Sequence, residues 1–157
     1  MDVNFSESYF ATGHKNGDIR LWSLGNDVKE VKRATDLHAG QISCIRFVPN
    51  GTTIVSASRT NGIVVIEQRN LSVTYTLEHP DMSIPMGCCK FAISPDGKYV
   101  AIGSINGILF IFDIKLGEFV EAYNEQHKDT IVGVAWGPGQ AGNVASIDKL
   151  GMLYMWS

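Results

Sequence analysis

Cysteine is scarce in this sequence. Cys44, Cys88 and Cys89 are the three in 157 residues, an odd count without paired spacing, which excludes a disulfide framework and a cysteine-based metal cluster. Adjacent Cys88 and Cys89 would point to opposite faces of a strand. All three read as buried, reduced thiols of a cytosolic protein. Long apolar runs are lacking too. The longest, such as Ile108 to Phe112, are about five residues, whereas a membrane-spanning helix needs ~20. Neither charge sign dominates. Thirteen Lys plus Arg against sixteen Asp plus Glu give a net charge of −3, which disfavours a nucleic-acid binder, since that needs concentrated positive charge. The N-terminal MDVNFSESYF is acidic and has no apolar core, so it is no secretory signal. The glycosylation sequons at Asn4, Asn50 and Asn70 would stay unused in a reducing cytosol. With 45% apolar and 18% charged residues, the chain reads as a soluble globular domain, or one piece of a larger one.

What is present is repetition. GHKNGDIRLWS from Gly13, SRTNGIVVIEQ from Ser58, GSINGILFIFD from Gly103 and IDKLGMLYMWS from Ile147 line up on Gly17, Gly62, Gly107 and Gly151, at steps of 45, 45 and 44. Two residues after each glycine stands Ile19, Val64, Leu109 or Leu153, and four after it Leu21, Ile66, Ile111 or Met155. Apolar residues at alternate positions have the period of a strand. Out of phase with these, Val48-Pro49-Asn50-Gly51, Ser94-Pro95-Asp96-Gly97 and Gly137-Pro138-Gly139 are tight-turn sequences. The units predict strands at 2–5, 8–13, 18–24 and 28–37; at 41–48, 52–58, 62–68 and 72–78; at 88–93, 98–104, 107–114 and 118–124; and at 130–137, 143–147 and 151–157. No helix is expected. Four-stranded units of this period are blades of a β-propeller, with expected boundaries near 1–37, 38–80, 81–126 and 127–157. Because one blade cannot bury both faces alone, stability is mainly a neighbour effect.

These residues resemble WD repeats. The dipeptide that names the family appears altered, as Trp22-Ser23, Glu67-Gln68, Phe112-Asp113 and Trp156-Ser157. His38 and His127 precede the first apolar residue of a blade, and His79 lies in the longer equivalent loop. The resemblance implies that such a histidine joins a structural hydrogen-bond tetrad with a strand Ser or Thr, a turn Asp and the Trp. Ser146 and Trp156 would accompany His127, with the turn acid shifted to Asp148, and Trp22 marks the first blade. Asn16, Asn61 and Asn106 stand where the other turns would carry the acid. A narrower resemblance covers nearly the whole chain. YFATGHKNGDIRLWS from Tyr9, the Cys88–Ser104 segment, NEQHKDTIVGVAW from Asn124 and the terminal SIDKLGMLYMWS are similar to the last four repeats of the autophagy-related protein 16 family. That resemblance implies a partial WD40-type propeller, all-β, without enzymatic activity or cofactor. It implies a scaffold that directs lipid conjugation of a ubiquitin-like modifier, cytoplasmic and peripheral at autophagic or endolysosomal membranes. The conjugation machinery would be bound through regions outside this chain, and adaptor proteins through the propeller. The alternatives are a WD-repeat adaptor of another complex, such as a ubiquitin-ligase substrate receptor, and a phosphoinositide-binding propeller. The paired-arginine motif of the latter is missing here.

No catalytic constellation stands out, because His14, His38, His79 and His127 fall at repeat-equivalent turns or blade starts instead of beside a nucleophile and an orienting acid. No metal set is expected. The glycine turns lack the following helix that a phosphate cradle uses. Candidate partner-binding residues are Arg59, Ile105, Asp129 and Lys149 on the loops that enter innermost strands or join middle ones, beside Lys15 and Thr60. Arg46 and Lys90, on innermost strands, line the channel mouth, or Arg46 is an internally paired cation. The insertion from Glu78 to Met86 is either a contact loop or one packed on its own blade. The basic cluster Lys29, Lys32 and Arg33 either touches anionic lipid or is a solvated edge strand made unattractive to strand addition. Most WD propellers close with seven blades, so the chain reads as a C-terminal fragment. Its end blades would expose apolar faces and favour a homodimer.

Overall fold

The computed structural model describes residues 1–4, 8–60, 62–85, 90–138 and 142–157. Phe5, Asn61, Met86, Cys88, Cys89 and Gly139 lie outside the described residues, and with them the expected environment of the cysteine pair. Among the described residues there are strands and turns and no helix, so none is long and apolar enough to cross a membrane.

The first compact unit spans Met1–Thr76. It holds β1 (Asp2–Asn4), β2 (Tyr9–Gly13), β3 (Ile19–Leu24) and β4 (Val28–Ala34), then β5 (Ile42–Phe47), β6 (Thr53–Ser58), β7 (Gly62–Glu67) and β8 (Ser72–Leu77), whose last residue opens the second unit. Each group of four is an antiparallel meander in chain order. β4 ends at Ala34, short of the expected 37, because Asp36 adopts a φ of 58° that a strand cannot continue through. Ala11, Ile19 and Leu21 from one sheet and Ile45, Ile54, Val64 and Ile66 from the other form a continuous core. Those positions alternate along their strands, so each sheet offers one apolar face to its neighbour.

The second unit spans Leu77–Ser157. It holds β9 (Ala92–Ile93), β10 (Tyr99–Gly103), β11 (Leu109–Asp113) and β12 (Glu118–Tyr123) in one antiparallel sheet, and β13 (Ile131–Trp136), β14 (Val144–Asp148) and β15 (Leu153–Trp156) in a three-stranded one. Ala101, Leu109 and Ile111 pack with Ile131 and Val144, flanked by Tyr99, Tyr123, Trp136 and Trp156. Bare glycine permits the close approach: a Cβ on Gly103 would lie 2.3 Å from Ile131 Cγ2. Ile147, Leu153 and Met155 are exposed. The innermost strand expected at 88–93 is described only as Ala92–Ile93, and Lys90 lies outside it, exposed.

The repeat extends to its irregularities. The β3–β4 register shifts between Leu21 and Trp22 and the β11–β12 register between Ile111 and Phe112, leaving Val31 and Val120 as extra residues. β5 and β13 carry a second pair of shifts, after Ile42 and after Ile131. Bulges bend a strand and increase its twist, and here they recur at equivalent places.

Candidate functional site: hydrogen-bonded blade centres and the loops they hold

Strand register sets which residues are equivalent between sheets. Trp22 pairs with Phe10, Phe112 with Val100 and Trp156 with Val144. In the second sheet the residue so placed is Ile66, opposite Ile54. The altered dipeptide there is Ile66-Glu67, one residue before the expected Glu67-Gln68. The step from Ala57 to Ile63 across the β6–β7 hairpin equals those from Gly13 to Ile19, Gly103 to Leu109 and Ile147 to Leu153, but Gly62 is the fifth residue of its turn where Gly17, Gly107 and Gly151 are the fourth of theirs. Aligning Gly62 on the other glycines therefore shifts the frame by one. By the same register the positions equivalent to Asp148 are His14, Ser58 and Ser104, not the asparagines. Asn16 caps the Asp18 N–H instead, and Asn106 donates to the Asp81 carbonyl.

In the last sheet four side chains form one directional chain. Trp156 donates its indole N–H to Ser146 Oγ at 2.8 Å, Ser146 Oγ lies 2.7 Å from His127 Nε2, and His127 Nδ1 lies 2.9 Å from Asp148 Oδ2. A carboxylate only accepts, so Nδ1 carries the proton toward Asp148, and Ser146 donates to Nε2. Burial pushes the Asp148 carboxyl up, but the His127 hydrogen bond and the backbone N–H groups of Met152 and Leu150 outweigh it and hold the carboxyl below its ordinary value. Tyr154 packs edge-on against the imidazole at 4.6 Å.

The other sheets carry reduced versions. Thr12 Oγ1 accepts from Trp22 Nε1 at 2.9 Å and lies 2.9 Å from His14 Nε2, so the imidazole comes from the turn and not from the loop before the blade. His38 reaches Ser56 Oγ at 2.7 Å from Nε2, while its buried Nδ1 meets no partner among the described residues. Burial holds the His38 imidazole down to about 4. The third sheet replaces the polar centre with an apolar one, with Ile102 and Phe112 at the hydroxyl and indole places and His79 tilted against Phe110 and Phe119 at 41° and 43°.

These centres hold the loops. A Cβ on Gly17, whose φ is +86°, would lie 1.9 Å from the His38 carbonyl oxygen, so the turn of one blade rests on the histidine loop of the next. In the second unit, Thr130 Oγ1 donates to the Ile105 carbonyl at 3.2 Å, and Lys149 N donates to the Thr130 carbonyl at 3.0 Å. Ile105, Asp129 and Lys149 are thus brought to one loop cluster, with Ile105 and Lys149 exposed and Asp129 half-buried. Arg59 is exposed on the β6–β7 turn of the first unit. Arg46 is exposed on β5 and ion-pairs with Asp2 at 3.5 Å, while Asp2 also accepts the Phe47 N–H. The described part of the 78–86 insertion packs on its own blade, where Ser83 bonds Ser104 through both backbone groups and accepts the Ile105 N–H. In the basic cluster, Arg33 forks onto Glu30 at 2.9 and 3.0 Å, Lys32 donates to the Arg69 carbonyl, and Lys29 lies 4.0 Å from Asp27. Cys44 is half-buried, not buried, because innermost strand β5 turns that residue outward from the core. No group of three metal-ligating side chains occurs among the described residues.

The four meander sheets, their shared register and the hydroxyl–imidazole–indole centres define a WD-repeat protein. The family model "WD domain, G-beta repeat" matches residues 30–66 and 72–113, and the chain belongs to that family. Each match runs from the outer strand of one sheet through the third strand of the next. Within the family, the chain is similar to Protein tipD of Dictyostelium discoideum, 29% identical over 96% of this chain and 25% of that protein. It is likewise similar to Autophagy-related protein 16 of Arabidopsis thaliana, 29% identical over 93% and 28%, and to Protein Atg16l2 of Mus musculus, 25% identical over 99% and 24%. These similarities are those of a WD-repeat domain of the autophagy-related protein 16 family, as the sequence motifs implied. The chain spans about a quarter of the length of these curated relatives. Proteins under other names match it too, among them WD repeat and HMG-box DNA-binding protein 1 of Homo sapiens, 20% identical over 92% of this chain and 13% of that protein. The chain is a WD-repeat protein-interaction scaffold, of a kind that is in general non-enzymatic.

Proposed function

We propose that these blades are the adaptor-docking part of an autophagy scaffold, which positions lipid conjugation of a ubiquitin-like modifier at autophagic or endolysosomal membranes from the cytoplasmic side. The observation that supports this most is the similarity to Autophagy-related protein 16 over 93% of the chain. The surface we assign to adaptor proteins in the second unit is the cluster of Ile105, Asp129 and Lys149. One apolar, one acidic and one basic side chain are held there by backbone bonds, which suits a short motif. Arg59 is the corresponding contact in the first unit. Membrane association is indirect on this reading, since Lys29, Lys32 and Arg33 are each engaged within the chain.

The test is affinity capture from cells with the full-length protein, its Ile105→Asp/Lys149→Glu variant and a version without these blades. Loss of membrane adaptors from both altered forms, with conjugation partners retained, supports the reading. Unchanged adaptor recovery removes it. The exposed Ile147, Leu153 and Met155 support self-association of this chain, and a compact monomer at micromolar concentration in light scattering would end that part.

A further inference from the structure

Between the two sheets of the second unit lies a cavity of about 660 Å³. Its walls carry four aromatic rings, Tyr99, Tyr123, Trp136 and Trp156, and two carboxylates, Asp96 and Glu121. Tyr99 stacks on Trp136 at 6.3 Å and 10°, and Tyr123 meets Trp156 at 4.8 Å. The Tyr123 hydroxyl donates to Glu121 Oε2 at 2.8 Å. Burial and that carboxylate push the phenol up, so it stays a donor and fixes Glu121 at the rim. Asp96 is held by the Ser94 hydroxyl and the Lys98 N–H, which keep its carboxyl below its ordinary value. Neither carboxylate forms an ion pair among the described residues.

The equivalent groove of the first unit decides the chemistry. That cavity, about 540 Å³, is lined by Tyr9 and Leu21 where the second unit has Tyr99 and Ile111, but it carries its own cations, Lys32 and Arg69, beside Glu67. Among the described residues, the groove of the second unit has the aromatic and acidic walls with no lining cation. Lys98 lies over the Tyr99 ring, 4.7 Å from its centroid, and its charge also acts on Asp96 from outside the groove, while the Trp136, Trp156 and Tyr123 rings and Glu121 line the groove itself.

We propose that this inter-sheet groove binds an arginine side chain of a partner protein. A guanidinium is planar, stacks on indole and phenol faces and forks onto carboxylates, and it sheds water more readily than an ammonium. The occupant is thus an extended, arginine-bearing peptide segment. This site is separate from the loop cluster proposed for adaptors and does not depend on the autophagy reading.

The test follows the indole N–H resonances of the 157-residue chain during titration with acetyl-Gly-Arg-Gly-Arg-Gly-amide and with its citrulline counterpart, which keeps the shape and loses the charge. Saturable shifts of Trp136 and Trp156, with Trp22 unmoved as a residue outside the groove, are expected. The citrulline peptide, and the Asp96→Asn/Glu121→Gln variant with the arginine peptide, should each bind about tenfold more weakly. Unchanged free-state resonances of second-unit amides away from the groove, such as those of Ser104 and Thr130, show that the variant is folded. Equal binding of both peptides, undiminished binding by the variant, or no saturable shift at millimolar peptide overturns the proposal. Shifts of the same indoles by phosphatidylcholine vesicles but not by the peptide overturn it as well, in favour of a quaternary ammonium headgroup.

Discussion

Trp156 donates its indole N–H to the hydroxyl of Ser146, at a register position where Trp22 does the same to Thr12. Ser146 is the hinge of the arrangement, because one oxygen accepts from the indole while its proton goes to His127. The neighbouring Asp148 then orients the imidazole from its other side.

Replacing Ser146 by Ala removes that oxygen and leaves a buried imidazole nitrogen and an indole N–H without partners. Unpaired buried polar groups cost about 1–3 kcal/mol. Ser146→Ala is expected to lower stability by roughly 2 kcal/mol, read as a lower urea midpoint with an unchanged slope. A midpoint equal to wild type would show that water takes over both bonds.

His38 makes stability fall with acid. Its imidazole is held at about 4 in the folded chain by burial, against 6.5 for the ordinary group. The unfolded chain therefore takes up the proton first as pH drops. The stabilisation is fully present above 6.5 and is lost as pH falls toward 4, in total roughly 3 kcal/mol. Asp148, held below its ordinary value, acts in the same direction at lower pH. Urea midpoints at pH 7.5 and pH 4.5 should differ for wild type and converge for His38→Gln. Parallel loss in both proteins would place the acid sensitivity elsewhere.

Two glycines with similar backbone conformation should respond differently to alanine. Gly151 has a φ of +80° and open space around a Cβ, so Gly151→Ala carries only the conformational term of about 1–2 kcal/mol. Gly17 adds a backbone collision with the His38 carbonyl, and Gly17→Ala should cost at least about twice as much or prevent folding. Thermal unfolding of the two variants side by side makes the comparison. Equal losses would mean that the His38 loop yields.

The one-residue frame of the second sheet is testable at Ile66 and Glu67. Ile66 is fully buried in the first unit's core, whereas Glu67 is half-buried. Ile66→Ala should cost about 2–5 kcal/mol through the cavity it leaves. Glu67→Ala should stay within about 0.5 kcal/mol. The reverse ranking in chemical denaturation would place Glu67, not Ile66, at the indole position.

The strand order and the turns were legible because their signals are local. Alternation at Ile19 and Leu21, or at Leu109 and Ile111, has a period of two whatever surrounds it, and the Pro-Asn-Gly and Pro-Asp-Gly turns close on their own hydrogen bonds, Gly51 to Val48 and Gly97 to Ser94. The frame at Gly62 was not legible. β7 is buried at four consecutive residues, Ile63 to Ile66, so its alternation does not say which of them faces which sheet. Nor could spacing reveal that His14 serves the first sheet, since a turn histidine and a loop histidine reach the same hydroxyl from different points of the chain. The aromatic groove of the second unit was equally hidden, because its rings come from β10, β12, β13 and β15, each unremarkable in its own strand.

The sequence alone thus determined the repeating unit, the antiparallel meander and the family, because backbone dihedrals and apolar alternation are properties of neighbouring residues. Only the tertiary structure decided which hydroxyl, imidazole and indole share a hydrogen-bonded centre and which carboxylates share a groove with aromatic rings. Those pairings join residues far apart in the chain, and they depend on register and burial, which are set when one sheet packs against the next.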